Sequence, residues 1–289
     1  MMRFEVADAQ YSRRHFLMLS ACATAVPLRA DLKAELKIGT MDTVLRLAGK
    51  PEALKTAKRL GLAAVQVTLG RSPDGKTLPL ENAQLQQEYV SISRQQRIPI
   101  DSGYLDMLHV SCLKSDPNAG KWVAKGIDIN KKLGAPILMT VFFSKCAVLN
   151  RSELDYVIDA LRELTKVAEQ AGVVLGFENT LSGEDNRYAV DRIASPAFKV
   201  WYDVGNSTYN GYDVPKEIRM LGRERICQFH FKDKGYLGEG VVRYEPILKA
   251  IDEIGFEGYA NLETTSPSGN VERDTARNLT YLQNLMSKA

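Results

Sequence analysis

The sequence predicts an α/β protein built as a single (β/α)8 TIM barrel, and three observations carry that prediction. Eight short apolar, β-branched segments alternate with longer amphipathic ones, the order that a parallel sheet with crossover helices requires. The 259 residues that follow a 30-residue leader match the roughly 250 that one such barrel needs. A doubly wound nucleotide-binding sheet would need a Gly-rich turn just after an early strand, and none is there.

Residues 1–30 read as an export signal, and residues 31–289 as the barrel. Ser12-Arg13-Arg14-His15-Phe16-Leu17 fits the twin-arginine pattern and runs into an apolar stretch too short to span a bilayer, ending near Val26 and Pro27. Ala23-Thr24-Ala25 and Leu28-Arg29-Ala30 offer cleavage sites. Leu19-Ser20-Ala21-Cys22 resembles a lipobox, so the chain meets a membrane only if Cys22 is lipidated. The expected location is periplasmic, reached by the twin-arginine route.

The strands are expected at Lys37 to Met41, Ala64 to Leu69, Pro99 to Tyr104, Ile137 to Phe142, Val173 to Asn179, Lys199 to Val204, Ile226 to Lys232 and Gly258 to Glu263. A first helix over Pro51 to Leu60 has Pro51 in its opening turn and Gly61 as a stop. Ser152 to Ala171 opens on Ser152 as the expected cap. It places Leu154, Val157, Ile158, Leu161, Leu164 and Val167 on one face and stops at Gly172. Glu245 to Ile254 precedes Gly255, and Val271 to Met286 supplies the last helix. No later apolar run is long enough to cross a membrane.

Without the leader the chain carries 34 basic and 33 acidic residues, so nothing marks an electrostatic footprint for nucleic acid. Cys22, Cys112, Cys146 and Cys227 are widely spaced and form no CxxC pair, which argues against a disulfide scaffold, a zinc ribbon or a thioredoxin-type centre. Cys227 reads as a buried strand residue. Only three histidines are available, His15, His109 and His230.

In a barrel, the C-terminal ends of the strands build the site. Four successive ends each offer one metal-competent side chain: Glu178 in Gly176-Phe177-Glu178-Asn179, Asp203 in Asp203-Val204-Gly205-Asn206, His230 in His230-Phe231-Lys232-Asp233, and Glu263. Period-two alternation turns His230 and Lys232 inward and Phe229 and Phe231 outward under the helices. Three carboxylates and one imidazole make a hard, oxygen-rich set suited to one divalent ion, Mn²⁺ or Mg²⁺ first, with Co²⁺ or Zn²⁺ as alternatives. The competing reading is a salt-bridge network in which Lys232 and Arg243 neutralise the acids.

These motifs, with Leu237-Gly238-Glu239-Gly240 and Gly255-Phe256-Glu257-Gly258-Tyr259, resemble the xylose isomerase-like TIM barrels over about residues 36 to 284. That family includes sugar isomerases and epimerases, inosose dehydratases and abasic-site (AP) endonucleases. The resemblance implies a metal held by Glu178, Asp203, His230 and Glu263, with Glu178 and Glu263 also moving the proton. Many relatives have His where Asn206 stands and Glu where Val65-Gln66-Val67 runs at strand two; position 206 is implied to contact substrate oxygen. A nuclease would need a histidine-rich cluster that this chain lacks.

The implied chemistry is proton abstraction beside a carbonyl on an unphosphorylated sugar or sugar derivative, giving isomerisation or epimerisation. Expulsion of a β-substituent would make the same site a keto-sugar dehydratase or 3-keto-glycoside lyase. A sugar-binding barrel without turnover is the alternative of another class. Lys232 either binds a substrate hydroxyl or neutralises Glu178 or Asp233, and Asp233 reads as structural. His109 is a candidate substrate contact, Trp201 and Tyr202 offer an aromatic platform or pack in the core, and a homo-oligomer is compatible with the reading.

Overall fold

A computed structural model describes residues 35–288. The leader, its Arg13-Arg14 pair and Cys22 lie outside the described residues. Eight parallel strands close in chain order: β1 (Leu36–Met41), β2 (Val65–Thr68), β3 (Ile100–Tyr104), β4 (Ile137–Val141), β5 (Val174–Glu178), β6 (Phe198–Asp203), β7 (Ile226–Phe231) and β8 (Gly258–Leu262), with β8 paired to β1. This is the predicted (β/α)8 barrel, and every strand falls within two residues of its expected bounds. Among the described residues no helix is long and apolar enough to cross a membrane.

The helices are α1 (Glu52–Arg59), α2 (Ala83–Gln96), α3 (Ala119–Leu133), α4 (Arg151–Ala171), α5 (Gly183–Ile193), α6 (Val204–Tyr209), α7 (Val214–Arg225), α8 (Tyr244–Glu253) and α9 (Val271–Met286). α4 departs from expectation in two details. Its cap is Asn150, whose side chain accepts the Glu153 N–H at 3.0 Å, so Ser152 is already helical. Val167 is 45% exposed, and Thr165 and Ala168 are buried instead. At 3.6 residues per turn, Val167 has rotated well away from the stripe of Leu154, Val157, Ile158 and Leu161.

Outward-facing strand residues pack beneath the helices as the alternation requires. Phe229 stacks edge-on against Phe256 at 4.9 Å, and Phe231 against Tyr244 at 5.4 Å. The barrel interior is unusual in the opposite sense. Branched apolar side chains ordinarily fill it, but here Gln66, Asp101, Gln228 and Asn261 are fully or almost fully buried. Gln228 Nε2 crosses from β7 to donate to Asp101 Oδ2 on β3 at 2.8 Å. Burial pushes the Asp101 carboxyl up to about 6, against the pull of its hydrogen bonds from Ser102, Asn261 and Gln228.

The cysteines include one pairing that the sequence does not signal. Cys112 and Cys146 form a disulfide between the loops that follow β3 and β4. Thirty-four residues separate them, so the pair has no local signature and depends on the barrel bringing the two loops together. Lys114 strengthens the same junction, donating to the Ala147 carbonyl at 2.6 Å and pairing with Glu153 at 3.1 Å. Cys227 is half-buried on β7, its Sγ 3.3 Å from the Val200 carbonyl, and burial pushes its thiol up to about 12.

Candidate metal centre

Strand register assembles the four predicted ligands. Asp203 and His230 are register partners across β6 and β7. Glu178 ends β5, and Glu263 follows β8 two residues beyond Asn261, itself the partner of His230. Side chains two apart share a face, so Glu263 rises over the same interior. One ligand atom from each of Glu178, Asp203, His230 and Glu263 lies within 4.8 Å of all the others.

His230 is buried at the centre of the cluster. Its Nδ1 lies 2.9 Å from Glu178 Oε1 and 3.1 Å from Glu263 Oε2, and its Nε2 lies 2.9 Å from Gln66 Oε1. Burial opposes its charge, yet Glu178 and Glu263 hold the imidazole up to about 10. Asp203 caps α6 with Oδ1, which accepts the Asn206 N–H at 2.9 Å, and turns Oδ2 to Lys232 Nζ at 2.7 Å. Burial and the charges of Glu263 and Glu178 push Asp203 up to about 7 despite Lys232. Glu263, one-third exposed, is held well below the usual carboxylate range by His230 and Lys232, which outweigh its desolvation.

The donor chemistry fits a divalent cation. Three carboxylates converge on a largely buried point where Lys232 is the permanent countercharge, and burial first, then the charges of Glu263 and Glu178, push Asp203 up despite it. Glu178, Asp203, His230 and Glu263 would supply the ligands.

Lys232 pairs with Asp203 and Glu263 (3.0 Å), not with the expected Glu178 or Asp233. The reason is reach: Asp233 points away into its own loop, where it accepts the N–H groups of Lys234, Val241 and Val242. Gly240 is required there, since a Cβ would lie 2.0 Å from Asp233 Oδ1. Arg243 is exposed at the start of α8. Trp201 and Tyr202 are core residues: Trp201 packs edge-on against the His230 ring at 4.9 Å, and Tyr202 donates to Glu217 at 2.7 Å. Asn206 joins the cluster through its backbone. His109 is half-buried in the loop after β3, with Nε2 2.6 Å from Tyr104 Oη and its ring stacked on Phe143. Burial lowers its pKa, against the charges of Glu178 and Asp106.

Two buried polar residues of the interior are not among the sequence candidates. Gln66 stands there only as a departure from relatives, although its inward position on β2 follows from the strand alternation. Asp101 could have been found as a carboxylate near the start of an otherwise buried strand.

Over residues 54–285 the chain matches the family described as Xylose isomerase-like TIM barrel, and it belongs to that family. It is 31% identical over 114 residues to the 2-epi-5-epi-valiolone 7-phosphate 2-epimerase of Actinoplanes sp., covering 38% of this chain and 41% of that one. It is 24% identical over 155 residues to the inosose dehydratase of Geobacillus thermodenitrificans, covering 43% and 51%. The chain thus spans about half or less of the length of these curated relatives. The D-psicose 3-epimerase of Clostridium cellulolyticum H10, solved with D-tagatose, superposes with a TM-score of 0.73 at 16% identity, covering 86% of this chain and 99% of that one. At that identity the likeness is one of fold.

Proposed function

We propose that this xylose isomerase-like barrel is a divalent-metal-dependent isomerase or epimerase of an unphosphorylated sugar or sugar derivative. The convergence of Glu178, Asp203, His230 and Glu263 within 4.8 Å carries the reading. A bound divalent cation would supply Lewis-acid polarisation of a carbonyl and its neighbouring hydroxyl. Glu178 and Glu263 approach from strands three apart, so the two carboxylates can address different faces of one substrate carbon. One removes the proton and the other returns it. Lys232 pairs with Asp203 and Glu263 and helps hold Glu263 ionised, and the His109 and Phe143 wall bounds the mouth where a sugar ring would lie. Similarity to two epimerases, one of them named for a 7-phosphate substrate, supports the epimerase part of this reading, and similarity to an inosose dehydratase supports elimination as the second one.

Export is part of the proposal. The twin-arginine pattern supports it, and so does a disulfide, which persists in oxidising compartments. Replacing Arg13 and Arg14 with Lys should leave full-length precursor in the cytoplasm; unchanged export would exclude that route. The reaction is tested by incubating the metal-loaded protein in D₂O with keto-sugars and 3-keto-glycosides. Deuterium should enter the carbon beside the carbonyl. Retained substituents identify an isomerase or epimerase, and loss of a leaving group identifies a lyase. A sugar bound tightly without exchange would leave a binding protein.

A further inference from the structure

The imidazole of His230 has two nitrogens in different chemical settings. Nδ1 faces the carboxylates of Glu178 and Glu263, while Nε2 faces one neutral group, the side-chain amide of Gln66, across the barrel on β2. Gln66 is completely buried and His230 is 1% exposed, so bulk water does not compete for that contact. The Gln66 amide has a defined direction: its Nε2 points at Met139 Sδ, 3.4 Å away, and its Oε1 points at the imidazole, 2.9 Å away. An oxygen at that distance accepts, so Nε2 of His230 must carry the proton.

The backbone supports this aim. The β2–β3 register shifts between Val65 and Gln66, and the β6–β7 register shifts between Val200 and Trp201. Such irregularities re-aim the side chains beside them. Gln66 and Trp201, each next to a shift, contact the His230 ring from β2 and β6.

Resting on the proposed metal reading, we infer that Gln66 is a positioning residue that selects the Nε2-protonated tautomer of His230 and so presents the Nδ1 lone pair to the cation. With the amide reversed, an N–H would face Nε2, the ring proton would move to Nδ1, and it would block ligation. A partner on the remote nitrogen of a ligand histidine fixes both tautomer and ring orientation, and its loss typically costs about 10–100-fold in metal affinity.

The experiment uses the full chain and Zn²⁺ alone. In ¹⁵N spectra of the Zn²⁺-loaded wild type, where only three histidines need assignment, His230 should show a proton on Nε2 and none on Nδ1. Gln66→Leu, which keeps the volume without the acceptor, should weaken Zn²⁺ binding by about 10–100-fold. Gln66→Glu, which restores shape and acceptor together, should return the affinity towards wild type, whereas Gln66→Met, which restores the unbranched shape without the acceptor, should not. A loss from packing alone would be rescued by Met as well as by Glu. A wild-type His230 protonated on Nδ1 while Zn²⁺ is bound would overturn the inference without using any variant, as would unchanged Zn²⁺ affinity in folded Gln66→Leu. Absence of Zn²⁺ binding in wild type would instead overturn the metal reading and the inference with it.

Discussion

The two halves of the barrel end their strands in opposite ways. At the mouth of β1–β4, Asp42, Tyr104 and His109 find partners within the protein, although Asp106 Oδ1 is buried without one. Asp42 accepts the backbone N–H and the hydroxyl of Thr68 and the N–H of Gly49, Tyr104 meets His109, and the loops after β3 and β4 are joined by the Cys112–Cys146 disulfide. At the mouth of β5–β8 three carboxylates face one another around His230 and Lys232. Matched groups make a fixed wall. Burial, with the charges of the neighbouring acids, raises Asp203 while His230 and Lys232 hold Glu263 low, and the three converging carboxylates offer oxygens that a cation could take. On the proposed function, the first half supplies shape and the second chemistry.

The sharpest test of that division removes proton transfer while leaving the wall intact. Glu178→Gln or Glu263→Gln should reduce turnover by about 10²-fold or more while substrate binding survives, because an amide oxygen can coordinate but cannot take a proton. Equal losses of binding and turnover would make the carboxylates ligands only.

The wall is tested by the double substitution Cys112→Ser and Cys146→Ser. Loss of a cross-link of this loop length costs about 2–4 kcal/mol, which lowers Tm by roughly 4–16 °C in a domain of this size. Metal content should stay at the wild-type level, and KM should rise more than kcat falls as His109 and Phe143 loosen. A fall in metal content would show that the halves are not separable.

A smaller effect of pH is read on metal binding, since Asp42 and Asp101 in the β1–β4 half are also raised to about 6. Folding raises His230 from 6.5 to about 10 and Asp203 from 3.8 to about 7, so between those values the metal-free folded protein holds more protons than the unfolded chain. Stability from Asp203 is therefore complete below about pH 4 and lost by about 7, and that from His230 is complete below about 6.5 and lost as pH rises through about 10. Glu263, held low, acts in the opposite direction only below the ordinary carboxylate range. A cation competes with these protons, so calorimetry in buffers of different ionisation enthalpy should find roughly one to two protons released on binding at pH 7. No release would contradict the assignment of His230 and Asp203 as ligands.

The strands and the convergence of the four candidate ligands were legible in the sequence because both follow from local alternation. A β-branched run with a polar residue at its end shows its direction, and Glu178, Asp203, His230 and Glu263 occupy equivalent ends. The features that were not legible depend on distant strands meeting. Gln66 reaches His230 across 164 residues, and Gln228 reaches Asp101 across 127, contacts set by barrel closure and stagger. Cys112 and Cys146 meet only because two mouth loops are neighbours. The cap of α4 and the exposure of Val167 were misplaced for a smaller reason, since a helix start displaced by a residue or two shifts which side chains complete its buried stripe.

Metal analysis of the purified protein after dialysis is the most direct test of the chemical half. One equivalent of a divalent ion per chain is expected in wild type and in His109→Ala, with His230→Ala and Asp203→Ala losing both the ion and the rise in Tm that added metal gives. Wild-type stoichiometry in either ligand variant, or no bound ion in wild type at millimolar Mn²⁺, would contradict the proposal that Glu178, Asp203, His230 and Glu263 form a metal site.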